Sequence, residues 1–193
     1  MLSGGGNKGT AMESPATITI VYDALERVFC RLDDLCSRPV EQLLYRLPYP
    51  DAWSMAEHLE HISLANHFLL LTIAKGVAIA LRRARSQPVP PGESDLQCLA
   101  PIADHTAFPW EPPGHMIPGG SMPVAEVRSL LTAQHLRCRS LLGQMTAGEG
   151  RLCCFHMSVY NLGKLDMYQW LYFLAQHASW HVAFLKGNGV LSA

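Results

Sequence analysis

Two histidines four residues apart, set in a stretch that is otherwise nearly all apolar, constrain this chain more than any other feature. The stretch is Asp166 to Lys186, DMYQWLYFLAQHASWHVAFLK. Asp166 followed by Gln169 is the pattern that caps a helix N-terminus. Trp170, Leu174, Ala178, Val182 and Leu185 then recur at helical spacing. Gly187 and Gly189 supply the stop, and Lys186 sits in the last turn, where a cation suits the helix dipole. His177 and His181, at i and i+4, point the same way, on the stripe that faces the core. Buried imidazoles need partners. A metal ion satisfies both at once; separate hydrogen bonds inside a packed core are the other solution.

At 193 residues the chain reads as one domain with room for a sizeable core. Only 16% of residues are charged and the net charge is −1, so nothing marks a nucleic-acid binder. The one basic cluster, Arg82-Arg83-Ala84-Arg85, reads as a helix C-terminus. Six cysteines show no C-x-x-C pair, and Met1 to Pro15 lacks the apolar core of a signal peptide. A reduced, cytoplasmic setting is expected, with Cys153 and Cys154 as two buried thiols. Ile62 to Leu81 is apolar and as long as a membrane span, but it carries Asn66, His67 and Lys75 and continues an earlier helix. A central helix of a soluble bundle is the better reading, with no membrane partner.

Residues 1–15 are Gly/Ser-rich and expected to be disordered; 16–193 form the domain. Ile20, Leu25, Val28, Phe29, Leu32 and Leu35 give a first amphipathic helix over about 16–35. A short helix follows at Val40 to Tyr45. Ser54-Met55-Ala56-Glu57 is a capping box that opens a second long helix running to about Arg85. Gln87 to Pro123 is proline-rich and irregular, of a length that is functional or a crossover more often than idle. Ser121-Met122-Pro123 opens a third helix ending near Gly143, and Arg151 to Gly163 is a second irregular link. No strand series competes. Four long helices predict an all-α four-helix bundle, and two long crossovers permit up-up-down-down order. The second and fourth helices are then antiparallel, and His61, two turns into the second, falls level with His177 and His181. One site holding all three would keep open coordination positions, the catalytic pattern. His58, one turn before His61, is either a group behind the site or an exposed residue.

Trp53-Ser54-Met55-Ala56-Glu57-His58-Leu59-Glu60-His61 resembles the W-S-x-x-E-x-x-x-H motif at the start of the second helix in the DinB/YfiT-like superfamily. Leu162-Gly163-Lys164-Leu165, Trp170-Leu171 and His177-x-x-x-His181 resemble its last-helix motif, and the resemblance runs from about Ile18 onward. It implies an up-up-down-down bundle, a homodimer, and a divalent metal on His61, His177 and His181. It also implies metal-dependent chemistry on a small molecule. One form transfers a low-molecular-weight thiol (bacillithiol, mycothiol or glutathione) to an electrophile; the other is hydrolysis.

All-nitrogen ligation suits Zn²⁺, Ni²⁺, Co²⁺ or Fe²⁺. No general base stands out. Glu57 reads as the helix cap and Glu60 as exposed. His135 and His156 are candidate proton shuttles with packing or surface roles as the plainer reading. Arg137 and Arg139 are candidate anion binders or solvated side chains, and Trp53, Trp170 and Trp180 are expected to pack the helices rather than line a pocket. The opposing reading is a non-catalytic bundle with a structural metal or none. A fourth protein ligand, His58 or His156, would favour it.

Overall fold

The computed structural model describes residues 16–107, 111–159 and 162–189. The disorder expected of 1–15 lies outside the described residues. The chain is predominantly helical: α1 (Ala16–Cys36), a one-turn α2 (Val40–Leu43), α3 (Met55–Ala84), α4 (Val124–Gly143) and α5 (Met167–Gly187). Both expected capping boxes form. The Ser54 hydroxyl accepts from the Glu57 N–H while the Glu57 carboxylate accepts from the Ser54 N–H, and Asp166 and Gln169 do the same for α5. Each box satisfies backbone donors that the first helical turn leaves without partners. Leu25, Leu32, Leu59, Ile62, Ile73 and Leu174 are fully buried between the four long helices. Each such side chain contributes roughly 1.5–3 kcal/mol through burial.

α4 packs on α1 and α3, and α5 packs on the same two from the other side. Side-chain pairs give the directions. Arg128 near the start of α4 donates two hydrogen bonds to Asp33 near the end of α1, while His135 and Arg139 further along reach Glu26. These two helices are antiparallel. His61 near the start of α3 lies beside His177 of α5, and Gly76 further along α3 lies against Met167, the first residue of α5. These are antiparallel too. Glu60 of α3 binds the N–H groups of Gly119 and Gly120 just before α4, and Arg83 at its far end donates to the Leu152 carbonyl just after α4. α3 and α4 are therefore parallel, and the order is up-down-down-up.

This corrects the expected up-up-down-down order, and the reason lies in the 37–54 link. Its residues do not run the length of the molecule but fold back at one end. Arg46 donates to the Ala52 carbonyl and Glu57, and bridges to Ser54 across the turn. The link between α3 and α4 is the one that crosses the molecule among the described residues. It climbs alongside α5, where Gln169 donates to Asp95, Gln176 to Ala100, and His105 abuts Gly187. It contains 3-10 turns at Gln97–Ala103 and Gly114–Met116 and sends Leu96, Leu99 and Ile102 into the core.

The second link also holds structure that its sequence does not announce. β1 (Cys154–Met157) pairs antiparallel with β2 (Gly163–Asp166), with Cys154 opposite Asp166 and Met157 opposite Gly163. Cys153 is buried as expected, whereas Cys154 is exposed on this ribbon. α3 is long and apolar enough to cross a membrane by length and composition. Asn66, fully buried, nevertheless donates to Gln134 of α4, which donates in turn to the Ser63 carbonyl, while His67 and Lys75 are exposed.

Candidate metal centre

Because α3 and α5 are antiparallel, the second turn of α3 meets the last three turns of α5. His61, His177 and His181 converge there, all buried, with ligand atoms within 4.8 Å of one another. The Nε2 of His177 is 3.4 Å from that of His61 and 3.3 Å from that of His181. These spacings are long for N–H···N hydrogen bonds. They match the roughly 3.3–3.4 Å between nitrogens that share a tetrahedral ion at about 2.0–2.1 Å.

The surroundings fix one of the tautomers such an ion needs and permit a second. His61 Nδ1 lies 2.7 Å from the Met116 carbonyl oxygen, which can only accept, so Nδ1 carries the proton and Nε2 presents its lone pair. His181 Nδ1 lies 3.0 Å from His58 Nδ1. When His181 donates there, its Nε2 is likewise free to coordinate. Burial holds all four imidazoles neutral. Desolvation, reinforced by neighbouring histidines, lowers His177 to about 3 and His58 to about 4. His181 is pushed well below the usual histidine range, and His61 is lowered by desolvation against the opposing pull of Met116. Three neutral imidazoles with converging nitrogens are a donor set that could hold a divalent ion.

His58 is buried behind His181 and outside the converging three. His156 is exposed on β1, so neither histidine completes a fourth position. His135 stacks on Phe29 and binds Glu26 between α1 and α4, away from the cluster. Arg139 binds Glu26 and lies over Tyr22, and Arg137 is exposed. Glu57 is a cap, as expected. Burial raises its carboxyl, but Ser54 and the Arg46 guanidinium outweigh that and hold it below its ordinary value. Glu60 is not exposed, as the sequence suggested, but 6% accessible, and both its oxygens accept from the loop at Gly119 and Gly120.

The cluster borders a cavity of about 740 Å³. Trp53, Trp170 and Trp180 line it, correcting the expectation that they only pack the helices. Trp53 lies 5.0 Å from His61 and Trp180 lies 4.8 Å from His181, centroid to centroid. The crossover contributes a wall through Glu111, Pro112, Pro113 and Met116. Sequence periodicity could not find these loop residues, because a wall built from an irregular segment has no period.

Taken together, these features define a helical protein with a three-histidine centre open to an apolar chamber. The chain belongs to the DinB superfamily, whose family profile matches residues 21–185. No curated protein and no solved structure gave a match.

Proposed function

We propose that this protein is a metal-dependent enzyme, with His61, His177 and His181 holding a divalent ion and a small organic substrate bound in the adjoining cavity. The observation that carries the reading is the set of three converging imidazoles beside an open chamber, with no fourth ligand joining them among the described residues. The four long helices are read as one four-helix bundle whose role is to bring α3 and α5 together at this level. A bound divalent ion supplies Lewis acidity, enough to make a weak nucleophile reactive near neutral pH.

The protein's own groups do the rest. Met116 and His58 orient His61 and His181, and the aromatic wall gives an organic substrate apolar surface to bury against. Glu57 and Glu60 are committed to Ser54, Arg46 and the 119–120 loop, so neither serves as a base. The reaction is transfer of an external nucleophile, a thiol or water, to an electrophilic centre. That no fourth ligand joins the three among the described residues favours this over a purely structural metal.

Elemental mass spectrometry on untagged protein, alongside circular dichroism, tests the assignment. Near-stoichiometric metal is expected in the parent. His61→Ala, His177→Ala and His181→Ala are each expected to lose it while keeping their helical spectrum. A parent that binds no divalent ion even after reconstitution would sink the proposal. Turnover would then be screened with thiols and with activated esters and amides.

A further inference from the structure

The lining of the chamber restricts what can enter it. Among the described residues that line it there is no lysine and no arginine. Its interior is aromatic and aliphatic, with Trp53, Phe68, Phe173, Trp180 and Phe184 as the large surfaces. Asp51 and Glu111, both exposed, are the carboxylates on its wall. Arg46, which reaches the carbonyl of Ala52 on the chamber wall, is held there and by Glu57. An anionic group away from the histidines would therefore lose its water without gaining a counter-charge, and would face carboxylates. A flat uncharged ring would bury against several aromatic faces at once.

We propose that the chamber takes an uncharged, largely apolar molecule bearing an aromatic ring, with one acceptor group directed to an ion held on the histidines. Thiols that carry carboxylates, glutathione among them, are poor occupants. The inference rests on the cavity being the substrate chamber of the proposed metal centre, and it narrows the reaction toward hydrolysis or an uncharged thiol. A cavity of about 740 Å³ accommodates a two-ring molecule with space for a second reactant.

The test uses a matched pair, naphthalene-2-carboxamide and naphthalene-2-carboxylate, of the same shape but different charge. Binding is read from quenching of the tryptophan fluorescence, first on chelator-treated protein, where no ion can ligate the carboxylate directly. The carboxamide is expected to bind at least tenfold more tightly. Thr72→Lys, which places a cation on the half-buried wall of α3, is expected to close that gap by raising carboxylate affinity. Equal or tighter binding of the carboxylate to the parent, or no binding of either probe, would overturn the proposal. Metal content is measured on the same preparations. Discrimination without metal binding would refute the metal reading alone, and metal binding without discrimination would refute the chamber inference alone.

Discussion

At the residue scale the decisive property is that four imidazoles are buried together without charge. Above about pH 6.5 both the folded and the unfolded chain carry them neutral. Below it the unfolded chain takes up protons that the folded metal-free protein refuses, since His58 is held near 4 and His177 near 3. Stability is therefore fully present above the unfolded pKa and falls as pH drops from about 6.5 toward 4. Urea midpoints of chelator-treated protein at pH 7.5 and 5.0 should differ in that sense; identical midpoints would contradict the assigned burial. Glu60 offers a second test. It holds Gly119 and Gly120, and the same loop presents the Met116 carbonyl to His61. Glu60→Ala is expected to weaken metal affinity about 10–100-fold, as loss of an orienting partner does. Competition against a chromophoric chelator measures it. His61, His177 and His181 were legible in the sequence because i, i+4 spacing fixes a face. Glu60 was not: a carboxylate one residue from a ligand looks solvated unless the loop that buries it is known.

At the scale of elements, caps and apolar periods placed all four long helices to within about two residues of their observed ends, because both signals are local. The β1–β2 ribbon escaped, since four-residue strands such as CFHM and GKLD show too few positions to establish a period of two. Where α3 meets α5, close approach depends on Gly76. A Cβ added there would lie 1.9 Å from the Met167 Sδ and 3.0 Å from Phe155. Gly76→Ala is expected to destabilise the protein by about 1–2 kcal/mol, overpacking outweighing alanine's better helix propensity. In a Met167→Ala background the same change should become neutral or stabilising. Thermal unfolding of the four variants in a double-mutant cycle tests this, and simple additivity would show that the contact is not the cause.

For the whole molecule, the direction of the helices was the part the sequence could not supply. Link length shows what a segment can span, not what it does span, and 37–54 spends its length in a local turn held by Arg46. The three histidines converge despite the wrong order because their meeting requires only that α3 and α5 be antiparallel, which both arrangements provide. The true crossover is anchored at its base by Arg151, which donates to the Pro90 and Gly92 carbonyls, and by Glu93, which accepts from Thr17. Arg151→Ala should leave the helical spectrum intact while exposing residues 85–95 to limited proteolysis. Unchanged cleavage would mean the anchor at Glu93 and the packing of Leu96 and Leu99 suffice.

The segment that climbs beside α5 ends as a wall of the chamber and, three residues after Pro113, as the acceptor that sets the His61 tautomer. Remodelling residues 111–120 would therefore reshape the chamber and disturb the three-histidine cluster at the same time. An engineer seeking to reshape the interior with the cluster intact has a freer hand on α3 at Leu69 and Thr72 than at Phe68, whose ring packs on His115 beside Met116, or at Phe184, whose ring packs on His58.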